Sequence, residues 1–306
     1  MSASLLLAQA LNGFQLGVLL FLLSAGLTLV LGIMNFVNLA HGSLFMMGAY
    51  FAAAAYGATQ SFLLAGVAAI AGTLVLGVLL ERVVLARLYE RDHLYQVLGT
   101  FGAILVFNEV ARYTWGQSPV FMNVPEALAG TIPLFGLAYP VYRLAIIAVG
   151  LVVGALLYLV IHRTRAGMLI RAGASDAQML SALGVDTALV SGLVFAVGAA
   201  LAGLAGLMAG PILTVQPGMG EPILILALVV LITGGIGSIR GAFYGALIVG
   251  IADTVGRAFL PGLLREVAER SFAQNAGPAL ASMLIYLLMA VVLAVRPAGL
   301  FPVKHG

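Results

Sequence analysis

The chain has 306 residues, 62% of them hydrophobic and 8% charged, with 14 Lys and Arg against 11 Asp and Glu. No water-soluble domain of this length has such a composition, so lipid is the solvent against which the fold is built. The net charge of +3 comes from Arg scattered between apolar stretches, with no nucleic-acid-binding patch, and the lack of Cys excludes disulfides and thiolate metal sites.

A bilayer core takes roughly 20 apolar residues per helix. On that ruler nine segments are predicted: 11 to 33, 40 to 57, 62 to 81, 97 to 115, 141 to 161, 188 to 210, 222 to 239, 241 to 258 and 279 to 295. One of them can be re-entrant, which leaves about eight full spans in an all-α polytopic membrane helical bundle, a single transmembrane domain over 1–306. Breaks inside the bilayer are expected in the first 81 residues and in 222 to 258. Residues 1 to 80 hold no Asp, Glu, Lys or Arg, and the start lacks the basic region and cleavage pattern of a signal peptide, so the first apolar run is expected to be kept.

In chain order, the first polar interruption is Met34 to Tyr50, MNFVNLAHGSLFMMGAY, where Asn35, Asn38, His41 and Gly42 break a hydrophobic run. Polar or broken helix at membrane depth persists only where protein buries it or a cavity is lined by it. The stretch is thus either a wall of a translocation path or a turn whose Asn and His cap helix ends. Glu109 with Arg112, and later Asp253 with Arg257, are charged pairs at helical spacing, for which mutual neutralisation is the simpler reading; a proton-relay role for Asp253 is the alternative.

The longest ordered polar interruption is His162 to Thr187. Ser175 and Gln178 have the spacing of a capping box, Asp176 adds a favourable charge, and Gly184 can close the helix in a left-handed conformation. A helix of about two turns is predicted, with Met179, Leu180 and Leu183 on one apolar side. Arg163, Arg165 and Arg171 precede it and place the loop on the cytoplasmic side. Alternation then puts nine Lys and Arg inside and five outside. The 116 to 140 segment falls outside, as does 259 to 278, where i,i+4 charge pairs and Leu263, Val267 and Phe272 predict a helix lying on the membrane surface.

Gly198, Ala202, Gly206 and Gly210 form a small-xxx-small ridge, and Gly237, Gly241 and Gly245 repeat the theme; both are expected to be helix-packing surfaces. Arg240, in the second, can meet lipid phosphate or a partner. No G-x-x-x-x-G-K-[ST], H-E-x-x-H or G-x-S-x-G occurs, so no nucleotide, metal or hydrolase site is expected in this chain.

At these residues the chain resembles the permease subunits of branched-chain amino acid ABC importers, the LivH type. MNFVNLAHGSLFMMGAY (34 to 50), RTRAGMLIRAGASDAQMLSALGV (163 to 185), FAVGAALAGLAGLMAGPI (195 to 212) and GGIGSIRGAFYGALIVGIADTVGRAFLP (234 to 261) fall on the family's blocks in order. In the second block, Arg165, Gly167, Arg171, Ala172, Asp176, Ala182 and Gly184 fall on the pattern. The resemblance implies a transport subunit, not an enzyme, in a bacterial inner membrane. It further implies a homologous second permease, two cytoplasmic ATPase subunits that carry ATP and Mg, and an extracytoplasmic substrate-binding protein. The 162–187 loop would then dock on the ATPase through Arg165, Gly167, Arg171, Ala172, Asp176, Met179, Leu180, Leu183 and Gly184. Some members carry Lys-Ala-Phe where this chain has Leu-Ala-Leu at 226 to 228, so the ligand differs if that region faces substrate; the shared blocks themselves do not separate branched-chain amino acids from urea or short amides. A secondary transporter using Asp253 and an intramembrane enzyme are the rival classes.

Overall fold

The computed structural model describes residues 3–34, 36–89, 91–134, 136–267 and 270–302. Nine helices correspond to the nine predicted segments: α1 Ala3–Met34, α2 His41–Thr59, α3 Phe62–Val83, α4 His93–Trp115, α5 Val141–Arg163, α8 Thr187–Ala209, α9 Gly220–Gly234, α10 Ile239–Val267 and α11 Arg270–Val295. Two short helices, α6 Arg165–Ser175 and α7 Ala177–Ala182, lie between α5 and α8. Seven helices (α1, α3, α4, α5, α8, α10 and α11) are long and apolar enough to cross a membrane, so the chain is an all-α polytopic bundle. The remaining two fall short for different reasons. Helix α2 opens on polar His41 and Ser43, and the 15 residues of α9 rise only ~22 Å against a hydrocarbon core of about 30 Å.

The local signals that end these helices are legible. The Ser61 hydroxyl accepts from Leu64 N–H at the start of α3, and Asp186 Oδ1 accepts from Leu189 N–H at the start of α8. Gly235, at φ +109°, ends α9 in a conformation that suits glycine, and the N–H groups of Leu300 and Phe301 donate to the Thr233 and Gly234 carbonyls left free there.

Packing follows an internal two-fold. Helix α1 runs against α10 as α8 runs against α3; α2 packs on α3 and α8 as α9 packs on α10 and α1; α1 meets α8 and α2 meets α9. Exchanging α1 with α8, α2 with α9 and α3 with α10 maps every one of these contacts onto another. The contacts are backbone-close because glycine supplies them. A Cβ on Gly26 would lie 2.7 Å from Gly198 O, one on Gly13 would lie 2.7 Å from Ile251 Cα, and one on Gly203 would lie 2.8 Å from Ala69 O. Such small-residue contacts are the main source of packing energy between helices in lipid, where no hydrophobic drive operates. The central core, built on Phe36, Phe45, Tyr50 and Phe195, sits where α1, α2 and α8 converge.

The connections differ from the sequence reading in two places. The 116 to 140 segment, for which the sequence predicts no regular element, carries an antiparallel hairpin, β1 Thr131–Leu134 with β2 Leu137–Pro140. Asn12 of α1 holds it: Asn12 Oδ1 accepts from Tyr139 O–H at 3.2 Å and from Arg143. The described part of 259 to 278 is no separate surface helix but the continuous ends of α10 and α11, with the Gly277 backbone against Pro261; the ion pairs expected through Glu269 lie outside the described residues. The hairpin marks one face of the bundle and the α6–α7 loop the other.

Replacing Gly206, whose Cβ position is filled by Phe45 O and by Ala49 N at 2.7 Å, should separate α2 from α8. Gly206→Leu is expected to destabilise the solubilised protein by about 1–3 kcal/mol or more. Gly102→Ala, where a Cβ meets nothing, should be neutral or stabilising by about 0.5–1 kcal/mol. Thermal unfolding in detergent, followed by size-exclusion recovery, checks both.

Candidate functional site

Where α2 begins decides what the Met34 to Tyr50 stretch can do. Gly198 is the midpoint of α8, and the ideal Cβ of Gly26 lies near both Gly198 and His41, 3.0 Å from His41 Nε2. Gly26 is eight residues before the end of α1, so the chain leaves α1 on the loop side and climbs back ~12 Å before α2 starts. The returning segment is buried on one side. Phe36, Asn38, Ala40 and His41 are almost completely enclosed, while Val37 is 40% exposed. Asn35 lies outside the described residues. Asn38 Oδ1 accepts from Ala40 N–H at 3.0 Å, an Asx turn that bends the chain into α2. At the foot of the segment, Phe36 meets Tyr89 edge to face, and Tyr89 O–H donates to Glu81 at 3.0 Å.

Of the two expectations for this stretch, the turn has a direct counterpart in Asn38, and that turn sits inside the bundle, level with the middle of α8. What distinguishes it is what stays unpaired. Among the described residues, Asn38 Nδ2, both His41 ring nitrogens, Thr28 Oγ1 and Tyr50 O–H are buried with no hydrogen-bond partner. The Leu23 backbone faces the His41 ring without satisfying it. Each such group costs about 1–3 kcal/mol relative to a paired one.

The start of α9 mirrors this arrangement. Gly42 and Gly220, at the heads of α2 and α9, abut so closely that a Cβ on either would overlap the other's backbone. From Gly210 the chain passes Met122, pairs Val215 with Val120, and turns back through Gly218 at φ +88°. Asn108 of α4 fastens the turn: its Oδ1 accepts from Gly218 N–H at 3.1 Å, and its Nδ2 donates to Glu221 Oε1 at 2.7 Å. Sequence reasoning missed this pair. The available signal was an acid and a proline opening the apolar run GEPILILALVV, but its partner is 113 residues away. The Leu226 to Leu228 step divides: Ala227 is buried, whereas Leu226 and Leu228 border two different core clusters.

The small-residue ridges face helices. Gly198 meets α1, Ala202 is fully buried, Gly206 meets the α2 backbone, and a Cβ on Gly210 would lie 3.2 Å from the Met122 sulfur. Gly241 abuts Gly234, Gly245 lies against Val230 O, and Gly237 turns at φ +77° beside Gly32. Arg240 is held within the chain, its guanidinium donating to Tyr158 O–H at 3.0 Å over the same ring.

The 162–187 loop differs in detail from its prediction. The capping residue of α7 is Asp176, whose Oδ1 accepts from Met179 N–H at 2.9 Å; Ser175, expected to cap, ends the preceding helix α6. Helix α6 itself was not foreseen; Thr164 Oγ caps it through Gly167 N–H at 3.1 Å. Gly167 is buried against the carbonyls of Val160 and Ile161, and Arg171 turns back to donate to the Ile161 carbonyl at the end of α5. The apolar side of α7 is divided. Leu180 is buried over Gly173, whereas Met179 (59%) and Leu183 (74%) are exposed, with Met168 of α6 (54%). Arg165, Ala172 and Asp176 are exposed, and Gly184 closes the turn at φ +83°.

The charged pairs are self-contained. Arg257 Nε donates to both oxygens of Asp253, at 2.9 and 3.0 Å, and its Nη1 donates to Ser282 Oγ at 3.2 Å, which ties α10 to α11. Asp253 lies two residues beyond Ile251, the neighbour of Gly13, near the Asn12 cluster on the hairpin side. Glu109 and Arg112 pair at 2.7 Å on the exposed face of α4. No group of three His, Asp or Glu that could hold a metal occurs among the described residues.

Against known proteins, residues 9–293 match the family described as the permease component of the branched-chain amino acid transport system. The chain is 30% identical to the high-affinity branched-chain amino acid transport system permease protein LivH of Escherichia coli K12 over 308 residues, 96% of this chain and 94% of the relative. It is 30% identical to the corresponding permease protein BraD of Pseudomonas aeruginosa (82% and 86% covered), and 26% identical to a probable LivH of Methanocaldococcus jannaschii (78% and 76% covered). No solved structure matches the chain. Matched over nearly its whole length, and built as a multi-pass bundle with two helices that begin inside it, the chain belongs to the branched-chain amino acid transport system permease family.

Proposed function

We propose that this chain is the membrane-spanning subunit of an ATP-driven importer that carries branched-chain amino acids across a bacterial inner membrane by alternating access. One observation supports it above others: α2 and α9 start inside the bundle, head against head at Gly42 and Gly220, beside the buried, unpaired Asn38 and His41. Broken helices at the interface of an inverted repeat are where transporters build their path. On this reading Asn38, His41 and Gly42, with Asn35, form part of the path wall, and residues 1–306 act as one permease domain.

The chain itself binds no nucleotide; ATP and Mg reside on two cytoplasmic ATPases. A homologous second permease completes the path, and an extracytoplasmic binding protein delivers substrate. The α6–α7 loop transmits the bias of ATP. Its exposed Met168, Met179 and Leu183 need a partner surface, with Arg165, Ala172 and Asp176 around them. Arg171, Gly167 and Leu180 act differently: they fix the loop to α5 and to α6, so that a push on α7 reaches the bundle. ATP shifts the inward–outward equilibrium only by its differential affinity for the two states, so a stiff loop is required.

Two tests follow. Leu183→Asp and Met179→Asp should each weaken co-purification of the ATPase by ~10-fold or more, a hot-spot loss above about 1.4 kcal/mol, while the chain stays inserted and folded. Leu180→Asp should instead unfold the loop, seen as protease cleavage between 163 and 187. Unchanged ATPase recovery in Leu183→Asp and Met179→Asp would sink the docking assignment.

His41→Leu removes two unpaired nitrogens at similar volume. It should stabilise the purified chain by about 1–3 kcal/mol in thermal unfolding while depressing leucine uptake by the assembled importer. Stabilisation with full uptake would remove His41 from the path.

A further inference from the structure

The α9 surface carries one group that the account above leaves unused. Glu221, Ile225, Leu228 and Ile232 recur at helical spacing, and none of the four is buried by its own chain. Leu228 and Ile232 border the same core cluster as Leu39 of the returning segment, so this stripe continues the surface of the α2 start. It is apolar except at its head, and the head lies inside the bilayer because α9 is too short to reach the hairpin side.

A carboxylate there needs a reason. An acid at a helix start is favoured by the helix dipole, and capping is the ordinary explanation. Here the Glu221 carboxylate accepts from none of the first N–H groups of α9; its one bond comes from Asn108 Nδ2. Nor does it neutralise a cation: the ion pairs among the described residues are Glu109 with Arg112 and Asp253 with Arg257. Asn108 is itself oriented, since its other atom is occupied by Gly218 N–H. One carboxylate oxygen is thus held in place, while the second accepts from no described group. A carboxylate fixed through one oxygen, with the other unpartnered and no cation beside it, is a site suited to a cation.

Resting on the importer reading, we propose that Glu221 receives the ammonium group of the transported amino acid, with Asn108 as its positioning residue. Ile225 and Leu228 lie one and two turns along the same face and suit a branched apolar side chain. Urea and short amides carry no cation for this oxygen, so Glu221 selects the zwitterionic class.

The test uses the complete importer with its binding protein in proteoliposomes and measures ATP-driven uptake of labelled leucine. Glu221→Gln keeps the size and the acceptor for Asn108 but removes the charge, so a merely structural role predicts normal uptake. The proposal predicts at least a ~10-fold fall in uptake from a complex with all its subunits, and a smaller fall for Glu221→Asp, which keeps the charge. Wild-type uptake by Glu221→Gln overturns the proposal alone. Loss of the second permease from that variant also overturns it, by assigning the carboxylate to an intersubunit ion pair. A wild-type complex that carries no leucine overturns the importer reading and this proposal with it.

Discussion

Everything in this bundle depends on one constraint: inside a bilayer a backbone N–H or C=O has no water to turn to, so a helix can stop only where protein covers its end. The chain begins two helices inside the bundle and covers each with the other. Gly42 against Gly220 makes that possible, because any side chain at either position would hold the two heads apart and expose them. The glycines at 26 and 198 do the same for the long helices that carry those heads. The stability of the two-fold core thus rests on one set of close backbone contacts, and so would the proposed path.

That set is only half visible in a sequence. Apolar length is a local property, so the nine helical segments could be read directly, as could the interruption at 34 to 50 and the small residues at 198 to 210. Depth is not local. Whether Asn38 and His41 lie in a turn at the surface or at the centre of the membrane is decided by Gly26, fifteen residues before His41, and by Gly198 on another helix. The Asn108–Glu221 bond joins residues 113 positions apart, and neither announces the other. The hairpin at 131 to 140 was hidden by its proline-rich, mixed composition. In the 162 to 187 loop the cap moved by one residue, from Ser175 to Asp176, because the chain uses Ser175 to finish an earlier helix. That one-residue shift follows from a helix, α6, that periodicity alone did not separate.

The loop also illustrates how a surface element becomes rigid. Leu180 packs on Gly173, and Arg171 reaches the last turn of α5. A mobile loop would absorb a displacement; one fastened at both helices passes it on. Exposed Met179 and Leu183 are then free of any duty to the fold, which is the condition for a contact surface.

On the importer reading, the unpaired groups would set the energy scale of the proposed switch. Asn38, His41, Thr28 and Tyr50 bury five polar atoms without partners, at about 1–3 kcal/mol each. Carrying a two-state equilibrium from 1:99 to 99:1 needs about 5.5 kcal/mol. In an alternating-access cycle the two figures are comparable, and their signs oppose: any arrangement that wets these atoms recovers hydration but must part glycine contacts such as Gly42–Gly220 or Gly26–Gly198. On that reading, two states of similar free energy would result from balancing those terms, not from weakness in either. The proposed ATP-binding partner would then need to supply only the difference. An apolar residue in place of His41 would tilt the balance toward the closed arrangement for the same reason that it strengthens the fold.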